Sequence, residues 1–393
     1  MTHREPRAFW IWLHRYTGLL ACLFLGFAAI TGCVLCFVRP LDAAINADLF
    51  KAAPVARGID VATAVDRFQA VHADLYVRSF PLSIPLDQTI PVKVEAARMG
   101  KALPFDQVFL DRGDGHLVGT RRSKAAWSRR GAMELLHDAH YTLLGGDWAK
   151  WFMGVMALLW LISNPVGAYL TLPLRRPFWR NWRRMWRFSF GSQLPRLLLD
   201  LHRSSGLWLL LPMTALAFTS VALNFFTLAY EPTVSKLVPA NPSPFDGKPA
   251  FPTGVAGKIG FARAVALVSA DNVRSGEPWL PATVQYVSKR GIYGVSLTDD
   301  GLPGYKGLGP KTIYLHGDGG SPAGMDSPYG NPGLALIPFL YPVHSGRMGG
   351  VWGVALVFLL GLVTTGHCIT GVYIWWKKRR SRVASARKVA AAR

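Results

Sequence analysis

Acidic residues are scarce in this chain. It carries 23 Asp and Glu against 44 Lys and Arg, and only 17% of it is charged. The shortage is uneven. Residues 175–196 hold seven Arg and no acid, and residues 377–393 hold eight Lys or Arg and no acid. By contrast, 39–146 has 14 basic against 12 acidic residues, and 229–342 has 9 against 8. A basic excess confined to the ends of apolar runs follows the positive-inside rule. Such loops meet lipid headgroups, so membrane lipid is the expected partner and nucleic acid is excluded. Cysteine is scarcer still. Cys22, Cys33, Cys36 and Cys368 all lie within apolar runs, so disulfides do not staple the polar segments. Cys33 and Cys36 form a CxxC without the βαβ setting of a redox motif and read as packing residues. No CxxCH is present, which excludes covalent haem attachment. No GxGxxG follows a strand, which leaves no nucleotide-binding loop.

What the chain has is apolar length. Half of its 393 residues are hydrophobic and 12% are aromatic. Four runs reach the ~20 residues that a bilayer requires. Spans are expected at 9–38, 147–173, 197–228 and 343–376. The first is too long for a cleaved signal peptide and shows no small-residue cleavage site. Charge asymmetry then puts 1–8, the loop 174–196 and the tail 377–393 in the cytoplasm, with 39–146 and 229–342 translocated. Each translocated segment reads as a small α+β domain. The first has a helix over Ile59–His72, strand-like runs at Leu75–Ile84 and Ile90–Ala97, and a hairpin over 107–122. The second repeats that order, with a helix over Gly257–Ala270 and strands at Ala282–Ser288 and Ile292–Leu297. Long Pro- and Gly-rich loops at 239–254 and 301–333 carry or adjoin Trp279, Tyr305, Tyr314 and Tyr329, read as ordered loop packing first and as ligand contacts second.

The order repeats because the chain does. LHRYTGLL (13–20) returns as LHRSSGLW (201–208), an offset of 188. A second register, offset by 204, matches His140 with His344, Gly145-Gly146 with Gly349-Gly350, Trp148 with Trp352, and Gly167 with Gly371. Each half therefore carries one histidine near each end of its pair of apolar segments.

Histidine at membrane depth is costly and usually functional. His14 and His202 lie about 10 Å inside the cytoplasmic face at a 1.5 Å rise per residue, and His140 and His344 lie at the translocated end. Equivalent histidines facing each other across a bundle are what six-coordinate haem iron takes. Zinc takes four ligands, commonly with Cys or carboxylate. Two bis-histidine b haems fit this set best, with a proton or metal transporter as the competing reading. Two residues break the symmetry. His367 falls on Ser163 in the other half and reaches the depth of His14 and His202. His137 lies one turn from His140. Arg15, Arg203 and Arg347 stand near these histidines, either to pair haem propionates or to snorkel to headgroups. Gly18, Gly32, Gly167, Gly206 and Gly371 permit close approach of a macrocycle or of a helix.

With HYTLLGGDWAKWFMG (140–154), HSGRMGG (344–350), TGVYIWWKKRR (370–380) and the strand-turn-strand VFLDRGDGHLVG (108–119), these motifs resemble the PepSY-associated transmembrane helix family over nearly the whole chain. The resemblance implies a bacterial inner-membrane protein. It also implies His14, His140, His202 and His344 as the family's histidine positions, with His137 and His367 departing from them. Its members include ferrioxamine-type siderophore-iron reductases with two b haems. The expected fold is an all-α four-helix membrane bundle bearing two periplasmic, PepSY-like α+β domains. The expected function is a di-haem cytochrome that takes electrons from a quinol or a cytoplasmic reductase and reduces ferric siderophore iron in the periplasm. A haem-free iron, siderophore or proton-coupled transporter and a PepSY-type regulatory protein are the alternatives.

Overall fold

The computed structural model describes residues 4–97, 103–123, 127–238, 245, 257–304, 307–329 and 335–391. The chain divides into two units. The first comprises Met1–Cys36, Leu136–Tyr230 and Val343–Arg393, and the second Phe37–Leu135 and Glu231–Pro342.

The first unit is helical. Its long elements are α1 (Arg4–Leu35), α6 (Gly146–Thr171), the successive helices α8 (Leu194–Trp208) and α9 (Leu210–Asn224), and a C-terminal helix, Gly350–Ala391. Among the described residues, three helices are long and apolar enough to cross a membrane, and the α8–α9 pair makes a fourth if counted as one span. The third run was expected to be one span, but it bends by 75° between α8 and α9. Pro212 gives the reason. Its missing N–H cannot bond the Trp208 carbonyl, and its ring would clash with that carbonyl in a continuous helix. α1 packs along the C-terminal helix and α6, and α6 packs along α9. At the first of these contacts Cys33 donates to the Phe358 carbonyl at 3.5 Å and Cys22 to the Cys368 carbonyl at 3.7 Å. All four thiols are free. The basic loop forms α7 (Phe178–Arg183) and a 3-10 turn, Arg184–Trp186. Trp182, Trp186 and Trp208 meet edge to face in series, ring centres 5.4 and 5.1 Å apart. Buried Ser204 pins the loop to α8 by donating to the Met185 and Arg187 carbonyls, both at 2.9 Å.

The second unit is built on a single antiparallel sheet of eight strands, ordered β4-β3-β2-β1-β5-β6-β7-β8. Its strands are β1 (Leu75–Pro81), β2 (Ile90–Ala96), β3 (Gln107–Leu110), β4 (Leu117–Arg121), β5 (Leu280–Val287), β6 (Ile292–Thr298), β7 (Lys311–His316) and β8 (Pro322–Asp326). The strand and helix order read from the sequence is present in each half. The expected separation into two domains is not. β1 and β5 would each be an edge with open N–H and C=O groups, and they close on each other, Phe80 opposite Val284. Helices α4 (Val61–Val71) and α11 (Phe261–Arg274) share one core beneath the joined sheet, with Val65, Phe68, Val77, Phe80, Phe261, Val268, Val284 and Val295 all buried. Asp60 caps α4, accepting from the Thr63 amide at 2.8 Å. The cap of α11 comes from the other half: Asp66 on α4 accepts from the Phe261 and Ala262 amides at 2.7 and 2.9 Å. Short helices α2 (Val38–Ile45) and α3 (Ala47–Phe50) precede α4, and α10 (Glu231–Leu237) precedes α11. Asp42 on α2 makes a two-pronged pair with Arg121 of β4, 2.8 Å at each contact. Arg121 also donates to Gln107 at 2.6 Å and lies over the rings of Phe50 and Phe109.

The loop aromatics are ordered by their neighbours. Tyr329 packs at a tilt against Trp279 and donates to the Gly309 carbonyl at 3.1 Å, while Tyr314 donates to Asp326 at 3.0 Å. Tyr305 and most of 239–254 lie outside the described residues.

Candidate functional site

The repeated histidines of the helical unit meet in two clusters, one toward each end of α1. In the first, His14 of α1 faces His202 of α8, ring centres 6.3 Å apart and planes at 75°. In the second, His140 faces His344, 6.4 Å apart and 58°. His140 lies near the end of α5 (Ala132–Thr142), and His344 ends the short helix Leu340–His344. Both reach their places through tight turns. Gly146 and Gly350, repeat mates at offset 204, have φ of 65° and 57°. Leu143 and Leu144 are left-handed as well, a costly conformation for side chains of that size. His14 lies 17 residues before Thr31, the α1 residue that meets His140, which sets the clusters about 26 Å apart along the helix.

Every histidine of the two pairs has a hydroxyl on Nδ1. Ser163 lies 2.8 Å from His14, Thr370 2.9 Å from His202, Thr31 3.0 Å from His140 and Thr219 3.1 Å from His344. The three threonines also donate to carbonyls of their own helices: Thr31 to Phe27, Thr219 to Ala215 and Thr370 to Gly366. A hydroxyl has one proton. With that proton on a carbonyl, the oxygen accepts from Nδ1–H and leaves the Nε2 lone pair of the imidazole free. His367 is bound the opposite way. Its Nε2 faces Ser205 Oγ at 2.8 Å, and Ser205 already donates to the Leu201 carbonyl, so His367 carries its proton on Nε2. Its ring lies 4.8 Å from that of His202.

The glycines make room for these rings. A Cβ on Gly32 would stand 3.1 Å from His140 Cε1, and one on Gly167 would stand 3.1 Å from His14 Cε1. Gly371 and Gly206 stand likewise against His202 and His367, both at 3.5 Å, whereas nothing lies within 4 Å of a Cβ on Gly18.

This donor set fits an iron porphyrin better than a bare ion. A metal–imidazole bond of about 2 Å, plus about 1 Å from Nε2 to the ring centre, puts two opposed imidazoles about 6 Å apart. That matches both pairs. Among the described residues, the one group whose ligand atoms converge as a bare ion needs is the turn Asp111, Asp114 and His116 of the sheet unit, which includes none of these histidines. It is mostly exposed, and the His116 amide at 3.0 Å, with the His116 ring at 2.7 Å, lowers the Asp114 carboxyl pKa, while the ring contact raises that of the imidazole.

Other candidates from the sequence lie elsewhere. His137 is exposed on α5 and packs against Tyr141. Arg203 is neither free for a propionate nor snorkelling. It donates to wholly buried Asp200 at 2.7 Å and to the Met185 carbonyl at 3.2 Å. Arg15 and Arg347 are half-buried beside their clusters. Reading the sequence for histidines missed their hydroxyl partners, although Thr31 and Thr219 are themselves repeat mates at the offset of 188.

Residues 11–378 match the PepSY-associated TM region family, and the chain belongs to it. Comparison with curated proteins gives no match.

Proposed function

We propose that the chain is a di-haem b-type cytochrome of the bacterial inner membrane that reduces ferric siderophore iron. Its termini and basic loop would be cytoplasmic and its sheet unit periplasmic, since the acid-free basic segments flank α6, α8 and the C-terminal helix. The observation that carries this reading is the pair of matched spacings, 6.3 Å for His14 and His202 and 6.4 Å for His140 and His344.

His14 and His202 would hold the inner haem, and His140 and His344 the outer one. Bound there, each haem supplies a reversible one-electron centre. The chain's part is to offer two imidazoles per site, those of His140, His202 and His344 each facing a threonine whose own proton is on a helix carbonyl. The acid nearest the inner pair in sequence, Asp200, is neutralised by Arg203 and Arg196. Arg15 and Arg347 are the cations for propionates. His367 is not counted a ligand, because its Nε2 is held by Ser205. A separate donor, a quinol or a cytoplasmic reductase, delivers electrons at the inner pair. The acceptor at the outer pair is iron held by oxygen ligands that prefer Fe(III), so reduction loosens the complex.

An absorption spectrum of the purified protein tests the first step: a Soret band and a sharp α band after dithionite are expected, and their absence ends the cytochrome reading. The reduced protein should then be reoxidised by a ferric hydroxamate or catecholate siderophore. Failure with all of them would leave a cytochrome with another acceptor.

A further inference from the structure

The hydroxyls on the histidines follow the internal repeat in a way that assigns them a role. Thr31 and Thr219 are equivalent at offset 188 and bind equivalent histidines, His140 and His344. At the other end the symmetry is broken in one telling place. Ser163, the partner of His14, has His367 as its equivalent at offset 204. His367 therefore stands where the first half keeps a hydroxyl, and Thr370, three residues on, supplies the hydroxyl for His202 instead. Its inverted tautomer, with Nε2 on Ser205, agrees with that place in the repeat.

We propose that Ser163, Thr370, Thr31 and Thr219 are positioning residues that fix the tautomer and ring plane of the four haem ligands and thereby set the two reduction potentials, and that His367 holds a hydroxyl's station, not a ligand's. This rests on the haem reading above. The physical sign is determined. An acceptor on Nδ1–H shifts electron density toward Nε2, makes the imidazole a stronger donor and favours ferric iron. Removing the acceptor raises the potential. It also frees the ring to turn, which changes the angle between the two imidazole planes, now 75° at one site and 58° at the other.

The test is a redox titration followed optically, with EPR of the oxidised protein, on the full-length chain and its variants. In T31V and T219V one of the two haem components should move to higher potential with altered low-spin g anisotropy. The other component should stay unchanged. T370V should move the second component alone. T31S and T219S keep the hydroxyl and should restore the original values. H367A should retain two haems per chain. If haem binding itself weakens in the valine variants, a loss of about 10- to 100-fold in affinity is expected, reversed by serine. Unchanged potentials and spectra in T31V and T219V with both haems present would overturn the proposal, as would a haem lost in H367A or a valine-like defect in the serine variants. No Soret band in the unmodified protein would remove the haem reading, and this proposal with it.

Discussion

At the scale of single residues, the clustered histidines and the buried Arg121–Asp42 ions are held by partners, and removing one partner leaves the other in an apolar surrounding. His140→Ala or His344→Ala should each remove one haem of two, read as halved haem per chain by pyridine haemochrome assay, while His137→Ala should remove none. Arg121 is a different case, since it supports the fold alone. Its side chain and that of Asp42 are only 8% and 15% exposed, so Arg121→Ala strands a buried carboxylate and should cost the sheet unit about 3–5 kcal/mol, measurable as a lowered unfolding midpoint. Asp48 shows what surface pairing does instead. Hydrogen bonds from Arg130, the largest cause, and from Arg129 pull its carboxyl down to about 2. A depressed carboxylate stabilises above its unfolded pKa and loses that contribution as pH falls from the ordinary carboxylate range through about 2. In R130A the Asp48 titration, followed by NMR of a labelled carboxyl carbon, should move back up toward 3.8. The effect on stability should be small, because all three groups are substantially hydrated.

At the scale of elements, the sequence was most readable where period and length decide. The apolar runs became α1, α6 and the C-terminal helix, and the alternating runs became β1, β2, β5 and β6. The bend at Leu209 was not read from the sequence, because mean apolarity does not register the one amide that Pro212 lacks, and Pro165 sits inside an unbroken α6. Pro212→Ala should allow α8 and α9 to straighten from 75°. His202 and Thr219 sit on opposite arms of that bend, each with its partner on a different helix. The straightened variant should therefore lose haem from one site, and spin labels placed on the two arms should report a longer distance. What the sequence could not announce was the pairing of β1 with β5. An alternating pattern says which face of a strand is buried, and nothing about which strand lies beside it.

At the scale of the whole molecule, the duplication made the candidate site legible before any coordinates. Two offsets brought His14 to His202 and His140 to His344, and both pairs are present at matched spacing. The rivalry of His367 could not be resolved from its depth. It required knowing which ring nitrogen was already taken, a property of Ser205, 162 residues away in sequence, and of Leu201. In the sheet unit, neither half keeps a core of its own: Phe80 packs on Phe261, and Asp66 caps the helix of the other half. A chain ending at residue 190 should consequently express poorly alone. Co-expression with 191–393 should recover it, scored by co-purification of the two pieces.

The antiparallel closure of β1 on β5 carries a consequence for ancestry. Equivalent edge strands meeting head to tail, and equivalent histidines meeting ring to ring, are both what a twofold operator produces from one repeated part. A gene half this length, carrying a single LHR motif and one downstream histidine, would generate each of these contacts by dimerising with itself. Within one chain the two copies are free to differ, and Ser163 against His367 at the offset of 204 is such a difference.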